Sequence, residues 1–333
     1  MKARLIYNPT SGQEIIKKYI ADILDKLEGF GYETSTFATT AEKDSAKTEA
    51  KRACRADYDL IIAAGGDGTI NGVVNGMMQN YRRERPKLAI IPTGTTNDFA
   101  RALKIPRNKP LQAVEIIGKK QTLKIDVGKV NEDKFFINIA AAGALTELTY
   151  SVPSQMKTVF GYLAYLTKGA ELLPRVRKSP VRLICDDEVI EEEISMFFCA
   201  LTNSVGGFEN IAPDAKLDDG LFTLILIKTD NLFELLALLA IVANGSGRHV
   251  NDINIKYLKA RSIKIEPLNG ERWLINLDGE YGGQAPVKFE NMKGAIEFFV
   301  NLDEVKDEHY IGEDDELALE AVAHKFAEEA RKL

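Results

Sequence analysis

The stretch from Asp59 to Gly72 constrains this chain most. Leu60 to Ala64 is an apolar run, which breaks into Gly65, Gly66, Asp67 and Gly68 before Thr69, Ile70 and Asn71 resume with helical spacing. About five apolar residues bounded by turn residues fit a parallel strand covered on both faces. The glycines allow backbone conformations that a side chain forbids. Strand, tight loop and helix in this order leave N–H groups free at a helix N-terminus, where phosphate is favoured. The loop is neither a P-loop nor a dinucleotide fingerprint, because the spacing of glycines and the lysine that those patterns need are absent. A tight turn would also explain the glycines. Asp67 points beyond one, since a carboxylate beside a phosphate cradle needs a metal or a proton-accepting role to offset it.

The same texture surrounds this stretch. Ala3 to Tyr7 reads as a strand followed by the loop Asn8, Pro9, Thr10, Ser11 and Gly12, and Glu14 to Phe30 as a helix with Ile16, Ile20, Ile23, Leu24 and Leu27 on its apolar face. Glu33 to Ala38 is the next strand and Asp44 to Arg55 a polar helix; Leu88 to Ile91 is another strand, followed by Pro92, Thr93, Gly94, Thr95, Thr96, Asn97 and Asp98 and a helix from near Phe99. Strand–helix alternation predicts an α/β doubly wound parallel sheet, with ligands beyond the carboxyl ends of its strands. The Asn8, Gly65 and Thr93 loops then converge on one edge. Asp98 reads equally as a helix N-cap or as a catalytic group.

After about Lys124 the pattern changes to short strands in hairpin order. Lys124–Val130 and Phe135–Ala140 flank one turn, and Val181–Cys185 and Val189–Ser195 flank another. Phe197–Leu201, Leu221–Ile227, Asn254–Leu258, Ser262–Glu266, Trp273–Leu277 and Pro286–Glu290 continue in this style, with helices near Phe160–Leu173 and Leu232–Ala243. The expectation is a β-rich, sandwich-like second domain. A chain of 333 residues exceeds the usual single core. The boundaries expected are 1–124 for the nucleotide-binding domain, with 300–333 packing back on it through the helical Asp315–Leu333 segment, and 125–299 for the second domain.

Two acidic strings in the second half have both plain and chemical readings. Asp278, Gly279 and Glu280 follow a strand, either as a turn or as a general base with a tuning neighbour. Pro213 to Leu221, with Asp218 and Asp219 adjacent, reads as a solvated turn or as a site for a hard cation such as Mg²⁺.

Composition removes other classes. A net charge of −6, much of it in the tail after Leu302, argues against a nucleic-acid binder but leaves room for a local basic face. Tyr162 and Tyr165 with Lys157, Lys168, Arg175, Arg177 and Lys178 nearby read as a buried helix with solvated flanks or as a surface for anionic lipid. Cys54, Cys185 and Cys199 are too scattered for a disulfide framework or zinc site, and His249, His309 and His324 show no metal spacing or triad. With no signal-peptide pattern at the start and no apolar run of membrane-spanning length, a cytoplasmic protein is expected.

Taken in order, the Asn8–Gly12, Gly65–Asn71, Pro92–Ala100, Pro213–Leu221 and Asp278–Glu280 motifs resemble the diacylglycerol and sphingosine kinase catalytic-domain family, and most closely its soluble bacterial diacylglycerol kinases, up to about Val305. The more distant NAD kinases and phosphofructokinases share the glycine-rich loop and look like cousins rather than equals. The resemblance implies a lipid kinase with ATP between two domains, making phosphatidic acid from diacylglycerol. By that similarity Asn8, Pro9, Thr10, Ser11, Gly12, Thr40, Gly65, Gly66, Asp67, Gly68, Thr69, Ile70, Asn71 and Thr95 would hold nucleotide. Glu280 or Asp278 would be the base, and Asp219 with the carbonyls of Lys216 and Leu221 would hold a structural Mg²⁺. The enzyme would work with ATP, Mg²⁺ and diacylglycerol at the inner face of the membrane; a homodimer is one option for its assembly. Another lipid alcohol, a soluble acceptor such as NAD, or a non-catalytic lipid-binding regulator are the alternatives.

Overall fold

The computed structural model describes residues 1–80, 85–144, 176–203, 215–231, 234–235, 238 and 253–306. The expected helix at Phe160–Leu173 with its basic flank up to Arg175, Pro213 and Asp214, nearly all of the Leu232–Ala243 helix, the three histidines and the tail beyond Lys306 lie outside the described residues. The chain divides into two compact units. Of the described residues, the first holds Met1–Ile137, Leu217–Gly220 and 292–306, and the second holds those within Asn138–Lys216 and Leu221–Asn291.

In the first unit, β1 (Lys2–Tyr7), β2 (Glu33–Ala38), β3 (Leu60–Gly65) and β4 (Lys87–Pro92) pair in parallel in the order β2-β1-β3-β4. Every residue of β3 is buried, as its unbroken apolar run requires. Helices α1 (Ile20–Gly29), α2 (Ser45–Arg55), α3 (Asp67–Met78), α4 (Asp98–Ala102) and α5 (Pro110–Gly118) supply the connections. The single helix expected from Glu14 to Phe30 is divided. Ser11–Tyr19 is a 3-10 helix, in which Glu14 takes a φ of +64°, and only Ile20–Gly29 is α-helical. The apolar spacing of Ile16, Ile23 and Leu27 serves both halves, so periodicity alone does not reveal the break.

Helix α3, which starts in the glycine loop, is seated by small residues. A Cβ added at Gly76 would lie 2.2 Å from the Lys47 carbonyl oxygen and 2.8 Å from the Ala50 Cβ; at Gly72 it would lie 3.2 Å from the Ala46 Cβ. Helices α2 and α3 therefore approach almost to backbone contact. Helix α2 is tied in turn to β1, because the buried Glu49 carboxylate accepts hydrogen bonds from Arg4 Nε at 2.6 Å and Arg52 Nη2 at 2.6 Å. Burial would push this carboxyl up, but the bonds from Arg52 and Arg4 outweigh it and hold the group below the ordinary carboxylate value.

The hairpin of β5 (Thr122–Val130) and β6 (Lys134–Phe136) also belongs to the first unit, which runs to Ile137 rather than to 124. The strand expected at Phe135–Ala140 is thus divided between β6 and β7 (Ile139–Gly143), one in each unit. In the second unit β7, β10 (Met196–Ala200), β11 (Phe222–Ile227), β12 (Ile255–Ala260), β14 (Leu274–Leu277) and β15 (Glu280–Gln284) form an antiparallel sheet in the order β12-β11-β10-β7-β14-β15. The other layer comprises β8 (Ser179–Cys185), β9 (Glu188–Ile194), β13 (Ser262–Pro267) and the start of β16 (Val287–Phe299). Phe289 of β16 meets Phe197 of β10 and Phe222 of β11 edge-on at 6.1 and 6.5 Å, so aromatic rings from both sheets fill this core. Strand β16 is longer than the Pro286–Glu290 expected. Its Phe298 pairs in parallel with Leu88 in the first unit, followed by the short α6 (Leu302–Lys306). No helix among the described residues is long and apolar enough to cross a membrane.

Gly76→Ala is expected to lower stability by about 1–3 kcal/mol despite alanine's better helix propensity, because its methyl group overpacks the contact with α2. Gly29→Ala, where an added Cβ meets nothing within 4 Å, is expected to raise it by about 0.5–1 kcal/mol. Denaturant midpoints of the two variants with opposite signs are the check.

Candidate active site

The four parallel strands deliver their following loops to one edge. Asn8 donates its N–H to the Ala64 carbonyl at 2.8 Å, Thr39 to the Tyr7 carbonyl at 2.8 Å, and Thr93 to the Gly65 carbonyl at 2.9 Å. Each bond extends the sheet by one residue past a strand end, so the loops leave it side by side. The Asn8 side chain then bends its own loop, its Oδ1 accepting from the N–H of Thr10 at 3.0 Å and from the Thr10 hydroxyl at 2.9 Å.

Glycines bring the loops into contact. A Cβ on Gly12, whose φ is +54°, would lie 1.8 Å from the Thr93 carbonyl oxygen, and one on Gly94 would lie 2.4 Å from the Gly66 Cα. The three loops therefore touch through bare backbone. Ser11 stands over the same spot, with its hydroxyl 3.8 Å from where a Gly66 Cβ would be.

Asp67, the first residue of α3, fastens two of these loops. Its Oδ2 accepts the Asn97 N–H at 2.9 Å and the Thr96 hydroxyl at 3.2 Å. Asn97 is buried with a φ of +50°, and its amide brackets Gly94: Oδ1 accepts the Gly94 N–H at 3.0 Å and Nδ2 donates to the Gly94 carbonyl at 2.6 Å. Asn97, not Asp98, is the N-cap residue of α4, and Asp98 is the first residue inside it.

The residues expected to hold nucleotide divide by what they can offer. Thr10, Gly12, Gly68, Thr40 and Thr95 are exposed; Asn8, Pro9, Ser11, Gly66, Asp67 and Asn71 are half-buried. Gly65, Thr69 and Ile70 are buried, and Thr69 and Ile70 donate their N–H groups to the Gly66 carbonyl in the first turn of α3. Their part is to shape the loop, while Gly68 stands where a helix leaves its N–H groups unsatisfied. Thr40 reaches the same edge after β2, donating its N–H to the Ser45 hydroxyl at 3.1 Å. Asn75, not singled out from sequence, holds α3 against β6, with Nδ2 donating to the Phe135 carbonyl at 2.9 Å and Oδ1 accepting the Phe135 N–H at 3.0 Å.

The second acidic string, Lys216 to Leu221, is bent by a carboxylate that the motifs do not include. Asp126, fully buried on β5, accepts the Gly220 N–H at 2.6 Å on Oδ2 and the Gly294 N–H at 2.8 Å on Oδ1, and donates its own N–H to the Leu217 carbonyl at 2.8 Å. Its sequence signal is a carboxylate at an inward position between Ile125 and Val127 of a strand. Among the described residues no three acidic, histidine or cysteine side chains cluster as metal ligands. An ion at this loop would rest on the half-buried Asp219, backbone carbonyls and water, a donor set that suits Mg²⁺.

In the second unit Asp278 and Glu280 have distinct environments. Asp278 and Gly279 form the two-residue turn between β14 and β15 with φ of +50° and +92°, the conformation favoured at hairpin turns of Asp-Gly sequence. The Asp278 Oδ1 accepts the N–H groups of Asn138 and Ile139 at 3.0 and 2.9 Å, pinning the turn to the start of β7. Glu280 is exposed at the first position of β15 and has no side-chain hydrogen bond or ion pair among the described residues.

Comparison with known proteins agrees with this arrangement. Residues 2–130 match the family model described as the diacylglycerol kinase catalytic domain, and residues 141–300 match the YegS C-terminal NAD kinase beta sandwich-like domain. The chain is 50% identical over 291 residues to the diacylglycerol kinase of Bacillus subtilis (strain 168), covering 87% of this chain and 93% of that one. It is 48% identical to the diacylglycerol kinase of Staphylococcus haemolyticus (strain JCSC1435), covering 89% and 87%. Among solved structures it is similar to a diacylglycerol kinase from Bacillus anthracis str. Sterne, with a TM-score of 0.70, 26% identity and coverage of 90% and 97%.

Asp126→Asn is expected to destabilise the protein by about 2–3 kcal/mol, because an amide NH₂ would face a backbone N–H and leave buried donors unpaired. The shift in the urea midpoint measures it.

Proposed function

The chain belongs to the diacylglycerol kinase catalytic-domain family, and from that premise we propose that it transfers the γ-phosphoryl group of ATP to the hydroxyl of diacylglycerol, producing phosphatidic acid. The observation that carries this reading is the set of glycine-rich loops locked together on one sheet edge by Asp67, in a chain half identical to a diacylglycerol kinase over most of its length.

Phosphoryl transfer needs alignment and charge stabilisation more than covalent chemistry. The polar loop atoms of Asn8 to Gly12, Thr40, Gly65 to Asn71 and Thr95 are assigned to the nucleotide. Gly66, Gly68 and Gly12 let phosphate oxygens approach the backbone, and Asp67 holds the loops in register rather than standing free. Mg²⁺ carried with ATP supplies the charge neutralisation that a P-loop lysine provides elsewhere. Lys216, Asp219 and Leu221, on a loop shaped by Asp126, are assigned to a separate structural Mg²⁺.

Glu280 is assigned as the base. As the lipid oxygen bonds to the γ-phosphorus and the bond to the ADP oxygen breaks, the hydroxyl proton passes to the Glu280 carboxylate. Asp278 suits this role less, since its Oδ1 already accepts two backbone N–H groups. The second unit is assigned to the lipid. Diacylglycerol resides in the bilayer, so the enzyme works as a cytoplasmic protein on the inner membrane face.

Incubating the protein with labelled ATP, Mg²⁺ and either diacylglycerol micelles or NAD tests the acceptor: label is expected in the lipid, and label in NAD alone would overturn the assignment. Glu280→Gln is expected to lower kcat by about 10²–10⁴-fold with an unchanged melting temperature. Asp278→Ala is expected to cost about 1–3 kcal/mol of stability, read from its denaturant midpoint.

A further inference from the structure

Thr93 stands where the three loops meet, and its side chain has no role in the arrangement described above. Its N–H is held by the Gly65 carbonyl and its own carbonyl lies against Gly12. The side chain is fully buried, and its hydroxyl has no hydrogen-bond partner. A buried hydroxyl left unpaired costs free energy that a valine of the same shape would not incur. At the same edge the hydroxyls of Thr96, Thr10 and Ser45 are engaged.

Gly12 is near enough that its Cβ, if present, would lie 3.6 Å from the Thr93 Cβ, and Gly94 follows Thr93 directly. The close approaches of both glycines depend on the absence of a side chain. A ligand phosphate drawn to this edge engages the very loops that seal the hydroxyl.

We infer that Thr93 is a positioning residue for the nucleotide: its hydroxyl is unpaired in the free protein and gains its hydrogen bond, to a phosphate oxygen or to a loop carbonyl turned by it, when nucleotide binds. The cost of the unpaired hydroxyl is then relieved on binding, which adds to affinity for nucleotide and opposes the empty loop conformation. This rests on the assignment of the loops to nucleotide.

The test compares wild type, Thr93→Val and Thr93→Ser in the full chain, measuring the melting temperature without ligand and the Kd for ADP and for a non-hydrolysable ATP analogue with Mg²⁺. Thr93→Val is expected to melt about 1–3 °C higher without ligand and to bind both nucleotides about 5–10-fold more weakly. Thr93→Ser, which keeps the hydroxyl, is expected to bind within about twofold of wild type. A Thr93→Val protein that binds nucleotide as tightly as wild type, whatever its melting temperature, overturns the inference and makes the hydroxyl a structural feature only. Equal weakening in Thr93→Ser also overturns it, because the loss would then follow the packing and not the hydroxyl. A wild type that binds neither nucleotide removes the functional assignment itself and the inference with it.

Discussion

The carboxylate of Asp67 is the constraint on which the site depends. Its bonds to the Asn97 N–H and Thr96 hydroxyl join the loop after β3 to the loop after β4, and the second loop is otherwise short of regular structure. This tie acts beside the bond from the Thr93 N–H to the Gly65 carbonyl, where Gly66 and Gly94 lie in backbone contact. Asn97 completes the lock from the other side by bracketing Gly94. An acidic residue at a helix N-terminus is also favoured by the helix dipole, so Asp67 is stabilised where it sits before any ligand arrives. The carboxylate that marked it in the sequence as a candidate for metal or proton chemistry holds, in the folded chain, one backbone N–H and one hydroxyl.

The same device recurs. Asp126 captures the N–H groups of Gly220 and Gly294, and Asp278 captures those of Asn138 and Ile139. In each case a carboxylate accepts from backbone donors distant in sequence, and such charge-assisted bonds are stronger than neutral ones. They join turns and loops to neighbouring segments distant in sequence. Glu280 is the contrast, an exposed carboxylate with no hydrogen-bond or ion-pair partner among the described residues. Acidic residues in similar strings thus meet different surroundings, some binding backbone donors and Glu280 facing solvent.

Much of this was legible in the order of the residues. The apolar run at Leu60–Ala64, the strand–helix alternation around it and the change to hairpins after Lys124 are periodicity and turn signals, and they correspond to β3, the parallel sheet and the antiparallel layers. Convergence of the Asn8, Gly65 and Thr93 loops follows from parallel pairing, because parallel strands put all their carboxyl ends on one side. Less legible were the break in the Ser11–Gly29 helical segment, where one apolar pattern serves both a 3-10 and an α-helix, and the length of β16. Pattern shows that a residue faces inward but not which unit's interior it faces, so the division at Ile137 and the return at Met292 were hidden too.

The sequence by itself determined the element types, the glycine positions that permit close loop contact, and the family to which the motifs point. Those are local properties, set by side-chain volume, backbone freedom and spacing. Only the tertiary structure decided which polar side chains are engaged: Asp67 with a backbone N–H and a hydroxyl, Asp278 with two backbone N–H groups, Asp126 buried on a strand, Glu280 exposed, and Thr93 with a sealed hydroxyl. A hydrogen bond between residues tens of positions apart depends on a distance of about 3 Å between chosen atoms, and nothing in the linear order of a chain records that distance.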